Sequence, residues 1–235
     1  MVNKFQALLQ RLQPHGLCYL CHGPLLPQAV AICQDCSADL PTIEQACPFC
    51  AIPTLQGRVC AACLNSSHLA INAAFSLYRY AYPANRLITD LKFHGQLRLA
   101  YFFGQCMANK LRGAGADLPR ALVPVPLHRS RLAERGFNQS LEIARVVSVE
   151  LGIPVLPTAC KRVQNTRPQY AMPAKQRRKN LQRAFAPSLH HCKNVEHVAI
   201  IDDVVTTGTT IKTLADALGQ GGVKRIEAWS CCRVD

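Results

Sequence analysis

Apolar and polar positions change period several times along this chain, and the changes mark its elements. Ala74-Phe-Ser-Leu-Tyr-Arg-Tyr80 alternates in the manner of a half-buried strand. After Tyr82-Pro83, Asn85 to Phe93 has helical spacing; His94-Gly95 breaks it, and a second helix runs from about Gln96 to Leu111. Gly113, Gly115 and Pro119 mark a loop, and Ala121 to Pro126 is a short apolar strand cut by prolines. Ser140 to Leu151 returns to helical spacing. Val198 to Ile201 is an apolar run of strand length, ended by Asp202 and Asp203. Ile211 to Leu218 puts Leu214 and Leu218 on one helix face, and Arg225 to Val234 is a last apolar strand after Gly221-Gly222. Short buried strands alternating with helices predict an α/β fold with a parallel sheet over residues 68–235.

Residues 14–67 show no such period; cysteines organise them instead. Eight of the thirteen fall in four C-x-x-C pairs: Cys18/Cys21, Cys33/Cys36, Cys47/Cys50 and Cys60/Cys63. A two-residue gap turns both thiolates toward one ion, and two such knuckles complete a tetrahedral site. Intervals of 11, 10 and 9 residues leave room for a short hairpin each time. The expectation is a double zinc ribbon with two structural Zn²⁺, paired either sequentially or in an interleaved, cross-braced way; the compact intervals favour sequential pairing. A redox C-x-x-C or iron–sulfur ligation is the competing use of such pairs. Cys106, Cys160, Cys192, Cys231 and Cys232 lack pairing intervals and read as ordinary thiols.

Met1 to Leu12 places Val2, Phe5, Leu8, Leu9 and Leu12 at helical spacing, without the apolar core or cleavage site of a signal peptide. No apolar window is long enough to cross a bilayer. Reduced cysteines without a leader give a cytoplasmic protein with no membrane insertion as the expectation.

The charge is unevenly placed. The formal net charge is +13, and all of it lies beyond residue 67, because Lys4, Arg11 and Arg58 balance Asp35, Asp39 and Glu44 before it. Filled zinc sites, each with four thiolates and one divalent ion, would make the cysteine module acidic. That module is therefore a poor grip for a nucleic-acid backbone, and any such contact moves to the second part of the chain.

The chemistry concentrates at Val198-Ala-Ile-Ile-Asp-Asp-Val-Val-Thr-Thr-Gly-Thr-Thr210. Backbone amides at a helix start lack internal partners and suit a phosphate; Gly208 permits close approach, and Thr206, Thr207, Thr209 and Thr210 add hydroxyls. Two carboxylates beside a phosphate repel it unless vicinal hydroxyls or a hydrated Mg²⁺ lie between, which describes a sugar phosphate better than a bare anion. The plainer alternative is a strand-to-helix turn capped by Asp203. Leu127 to Gln139, a loop with His128, Arg129, Arg131 and Arg135, suits a diphosphate or is simply solvated. Lys161 to Lys193 holds nine basic residues and no acidic one. Its second half, Ala174 to Phe185, has the look of a short helix.

The 198–210 stretch closely resembles the phosphoribosyl-pyrophosphate (PRPP) motif of type I phosphoribosyltransferases. V-P-V-P-L with R-x-x-x-R-G-F-N-Q, and the cysteine module ahead of it, resemble the ComF family specifically. The resemblance implies a type I phosphoribosyltransferase-like parallel sheet behind a small double zinc ribbon. It implies PRPP with Mg²⁺ as ligand, Asp202 and Asp203 facing the ribose hydroxyls, Thr206 to Thr210 around the 5′-phosphate, and Arg135 and Gly136 on the pyrophosphate. T-R-P-Q with R-K-N-L-Q-R-A-F resembles the segment covering the active site in related proteins, with Thr166, Gln169, Arg178 and Asn180 at the matching positions; Arg167, Gln169, Arg177, Arg178 and Asn180 are the expected lid or nucleic-acid contacts. The same resemblance implies a role in DNA uptake and natural transformation, with single-stranded DNA and uptake helicases or recombination proteins as partners. A metabolic phosphoribosyltransferase acting on a nucleobase or amine, and a PRPP sensor without catalysis, are the alternatives.

Overall fold

A computed structural model of the chain describes residues 16–26, 29–66, 70–113, 117–163, 185–188 and 195–235. The N-terminal helical spacing before residue 13 and the basic segment 164–184 lie outside the described residues.

Two short helical turns, α1 (Gln34–Ala38) and α2 (Ala61–Leu64), belong to the cysteine module. Then follow β1 (Ala73–Arg79), α3 (Ala84–His94), α4 (Leu97–Gly113), β2 (Ala121–Pro124), α5 (Arg129–Arg135), α6 (Gln139–Leu151) and β3 (Cys160–Arg162). The chain closes with β4 (Phe185–Pro187), β5 (His197–Val205), α7 (Thr209–Gln220) and β6 (Arg225–Arg233). β1, β6, β5 and β2 form one sheet in that order, with every pair parallel. β3 and β4 pair antiparallel in a separate two-stranded sheet.

Alternation along β5 divides the core between the two faces. Ala199 and Ile201 pack with residues of α3, α4 and α6 around Phe103, Leu87 and Trp229. Val198 and Ile200 pack on the other side with Ile211, Leu214 and Leu218 of α7 and with Phe185 of β4. Helices on both faces explain why β5 reads as a continuous apolar run and not as alternation.

Three expectations change. The strand of the acidic pair does not stop at Ile201. It runs on to Val205, because β6 continues to pair with it as far as Val205↔Arg233. The basic stretch after β2 is not a loop throughout: Arg129–Arg135 is a helix, whose N-cap His128 accepts from the Ser130 amide through its ring. Phe185, placed at the end of a helical segment, instead pairs with Arg162 in the small hairpin.

The cysteine module lies along the outer edge of β1. Backbone bonds run from Ile43 N to Leu77 O at 2.9 Å, from Arg79 N to Pro41 O at 2.8 Å and from Ala74 N to Pro48 O at 2.6 Å. Lys110 of α4 adds Nζ bonds to the carbonyls of Ile43 and Ser76. Cys18, Ala31, Ile32 and Leu40 enter the same apolar cluster as α3 and α4, so the module completes that face of the core.

α4 crosses α6 so closely that a Cβ on Gly104 would sit 2.6 Å from Val146 Cβ and 3.2 Å from the Ile143 carbonyl. The backbone oxygen cannot turn away as a side chain would. Gly104→Ala is expected to cost about 1–3 kcal/mol, a fall in melting temperature of about 3–10 °C for a chain of this length. Thermal unfolding of Gly104→Ala with and without Val146→Ala checks it: the second change should recover part of the loss.

Candidate functional site

The acidic pair owes its position to unequal strand lengths. β2 ends at Pro124, opposite Ile201, and the next amide, Val125 N, still bonds to Ile201 O at 2.9 Å. From Asp202 on, β5 has β6 on one flank and an opening on the other, at the carboxyl ends of the strands where α/β sheets bind ligands. Asp202 and Asp203 are 7% and 3% exposed, so water does little to relieve their repulsion.

The protein supplies part of the relief. Lys92, near the end of α3, brings its ammonium to 2.7 Å from Asp203 Oδ2, an ion pair without an aligned hydrogen bond. Asp202 Oδ1 accepts from Ser140 Oγ at 3.1 Å and from the Asp203 amide at 3.0 Å. Ser140 opens α6, whose N-cap Asn138 accepts from the Ser140 and Leu141 amides and ties the turn back to Val125 O. Burial, and then the Asp203 charge, still hold the Asp202 carboxyl well above its ordinary range, and Lys92 opposes them.

Arginines gather at the same end. Arg135, the last residue of α5, bonds Gln139 Oε1 at 2.7 Å and lies 5.3 Å over the ring of Phe93, which is itself exposed. Burial lowers its pKa and the nearby Arg131 adds to that, while Asp203 acts against them. Gly136 follows with φ 81°, a left-handed turn that ends the helix and releases the chain toward α6. Arg162 of β3 lies within the field of both Arg131 and Asp202. Cations on either side of a buried acidic pair suit a ligand that carries both anionic groups and hydroxyl donors.

β5 runs directly into the threonine loop. Gly208 takes φ 74° at the N-cap of α7, the left-handed conformation anticipated for it, and no side chain caps that helix. Thr207 Oγ1 and Thr209 Oγ1 lie 2.8 Å apart, and Thr213 Oγ1 turns inward to Thr209 O. Thr206 and Thr207 are exposed, and Gly208, Thr209 and Thr210 are half-buried, so the start of α7 is open to solvent.

The cysteines form two clusters in sequential pairing, Cys18/Cys21/Cys33/Cys36 and Cys47/Cys50/Cys60/Cys63, each with its sulfurs all within 4.8 Å of one another. Tetrahedral zinc with Zn–S bonds of about 2.3 Å places its sulfurs about 3.75 Å apart. Cys21–Cys33 at 3.7 Å and Cys50–Cys60 at 3.6 Å match that edge, so the residues fit the ion. Burial raises the Cys18 and Cys47 thiols, but backbone amides outweigh it and bring them to about 6 and about 7, ready to bind as thiolates. In each ribbon the first knuckle sits beside an isolated antiparallel bridge, Leu17↔Pro24 or Ala46↔Pro53, and the second opens a helical turn. These are the groups of three or more metal-type ligands among the described residues.

Of the residues singled out from sequence, Asp202, Asp203, the loop 206–210, Arg135 and Gly136 lie at or beside this end of the sheet. Arg167, Gln169, Arg177, Arg178 and Asn180 lie outside the described residues. Lys92, Ser140, Asn138 and Arg162 were not singled out for the site. Lys92 and Ser140 each sit in an amphipathic helix where a polar residue is unremarkable, and their partners are distant in sequence.

No family model matches the chain. It is 32% identical to DNA utilization protein YhgH of Escherichia coli K12, over 93% of this chain and 97% of that protein. It is also 32% identical to competence protein F of Haemophilus influenzae, over 92% and 96% of the two, and 25% identical to competence protein ComFC of Bacillus subtilis, over 84% and 82%.

The raised Asp202 pKa has a sign that can be measured. The folded chain holds this proton more tightly than the unfolded one, so the stability it lends is full below the ordinary carboxylate pKa of 3.8 and is lost as pH rises through the raised value. Asp202→Asn keeps an acceptor for Ser140 and removes the charge. It is expected to raise the melting temperature of the ligand-free protein by a few degrees near neutral pH and to narrow the difference in acid. Melting curves of both proteins between acid and neutral pH check this.

Proposed function

The chain belongs to the ComF family, with DNA utilization protein YhgH and competence protein F, and we propose that it is a PRPP-binding protein serving DNA uptake. One observation carries the ligand: a buried acidic pair, partly neutralised by Lys92, runs directly into a threonine loop that leads by a left-handed glycine to an uncapped helix N-terminus. Each part answers one part of PRPP. The ribose hydroxyls donate to Asp202 and Asp203. The 5′-phosphate takes the first amides of α7 and the hydroxyls of Thr206 to Thr210. The pyrophosphate meets Arg135 and the amide-bearing turn at Gly136, with Arg131 and Arg162 supplying the field.

Mg²⁺, in this reading, arrives with the ligand. Among the described residues the acidic pair is not joined by a third metal-type side chain, so PRPP oxygens and water would complete the ion's shell. What the ion supplies is charge neutralisation on the diphosphate; the residues orient the ribose. If an acceptor attacks C1 of the ribose, the bond to pyrophosphate breaks and the arginines stabilise the departing charge. The geometry supports the ligand more directly than any acceptor, and a PRPP sensor is equally served by it.

The DNA role rests on what the relatives' names state and on where the charge lies. With all of the formal +13 outside the cysteine module, single-stranded DNA would be held by the basic segment around Arg167, Gln169, Arg177, Arg178 and Asn180. Uptake helicases or recombination proteins are the expected protein partners, in the cytoplasm. No described helix is long and apolar enough to cross a membrane.

Two measurements test these halves separately. PRPP with Mg²⁺, at about a hundred times its dissociation constant, should stabilise the full chain by about 2.7 kcal/mol. Asp202→Asn and Asp203→Asn should abolish that shift; an unshifted wild type ends the PRPP reading. For DNA, affinity for a single-stranded oligonucleotide should fall steeply with salt, and Arg177→Ala with Arg178→Ala should lower the salt slope by about one per phosphate contact removed. Affinity indifferent to both salt and substitution would remove the basic segment from the role.

A further inference from the structure

Arg233 ends β6 and is 5% exposed. Its guanidinium is always charged, yet its partners are carbonyl oxygens. Nη1 donates to Val205 O at 3.1 Å and, in closer contacts, to the carbonyls of Thr206 and Val234. On the other edge of the same plane, Nε donates to Cys50 O at 2.9 Å. Among the described residues no carboxylate forms an ion pair with it. A buried cation held by dipoles alone is costly unless the geometry requires it.

The four oxygens show what it joins. Val205 and Thr206 carry the chain from β5 into the threonine loop. Cys50 is a ligand of the second four-cysteine cluster, in the knuckle whose Pro48 carbonyl also receives the Ala74 amide of β1. We propose that Arg233 is a positioning residue through which the second zinc cluster, and not the first, fixes the phosphate loop. The inference rests on reading residues 206–210 as that loop.

Two physical features support the link. A guanidinium offers donors in a rigid plane, so the loop carbonyls cannot shift without disturbing the bond to Cys50. The occupied cluster, four thiolates on one divalent ion, also carries a formal charge of minus two beside a cation that lacks another counter-charge. Loss of zinc returns protons to the thiols, removes that charge and frees the knuckle that presents the Cys50 carbonyl. The first cluster has a different attachment: its knuckle residue Tyr19 lies under the Arg98 guanidinium at 4.6 Å, and Cys18 packs with the α3 and α4 core.

Amide hydrogen exchange on the full, zinc-loaded chain decides the matter without any ligand. Cys60→Ser removes a ligand of the second cluster without touching the Cys50 knuckle, and Cys36→Ser does the same to the first. Arg233→Lys keeps the charge and loses the planar fork. Exchange of the two bonded amides that bracket the loop, Val234 N on Val205 O and Lys212 N on Gly208 O, should quicken about tenfold or more in Cys60→Ser and in Arg233→Lys, with no further gain when the two are combined. Cys36→Ser should leave those amides within about twofold of wild type. Protection of α6 reports whether each variant remains folded, and zinc content should be two per chain in Arg233→Lys and one in each cysteine variant. Loop exchange unchanged in Arg233→Lys, or quickened equally by Cys36→Ser, overturns the proposal. If Cys60→Ser also loses α6 protection, Arg233→Lys alone decides it. PRPP affinity, read in parallel, should weaken about tenfold in Arg233→Lys. A wild type that binds no PRPP would defeat the ligand assignment and leave the exchange result standing.

Discussion

Two carboxyl groups in consecutive residues of a central strand repel one another when charged, with little water to screen them, and much of this end of the molecule answers that repulsion. Lys92 reaches in from α3, Ser140 from α6, and the Asp203 amide turns onto its neighbour's oxygen. Arg135 and Arg162 add field from either side. At the opposite end of the same sheet, a buried carboxylate is fully matched: Glu227 accepts from Arg225 and Trp229 and contacts His197 at 2.9 Å. That contrast separates an acid whose oxygens are matched by donors from a pair whose charge the protein offsets only in part.

The cost of such a site is spread over the fold. Burial and the Asp203 charge raise the Asp202 pKa, and α7 starts without a side-chain cap, the Thr209 amide reaching only Thr207 Oγ1 at 3.5 Å. The cysteine module offsets some of this by closing the apolar face over α3 and α4 and by bonding along β1.

The sequence made the core legible because the fold's main elements follow simple periods. Val198 to Ile201 and Leu214/Leu218 declared a buried strand and the helix that covers it, and the C-x-x-C spacing declared two metal clusters. The acids and the threonine loop were legible because their chemistry is contiguous. Lys92, Ser140 and Arg162 were not, since each is an ordinary polar residue until the fold brings it beside an acid 62 or more residues away in the cases of Ser140 and Lys92. Arg233 was not legible either, because it closes the apolar run Ala228-Trp-Ser-Cys-Cys232 and was absorbed into the strand reading of residues 225–234. The helical turn at Arg129–Arg135 was hidden by its charge, because a run rich in arginine carries too few apolar residues to show a period.

The bonds along β1 have a further meaning for assembly. An open sheet offers two rows of unpaired amides and carbonyls at its borders, the usual places for another chain to add a strand. Here residues 41–48 occupy one border. At the other, Leu122 is bracketed by Pro154 and Leu156 through bonds of 2.8 Å, and β2 is only four residues long, ending in proline. Among the described residues, a chain that adds a strand to the four-stranded sheet must therefore displace residues 41–48 on one border or the bonds of Leu122 to Pro154 and Leu156 on the other.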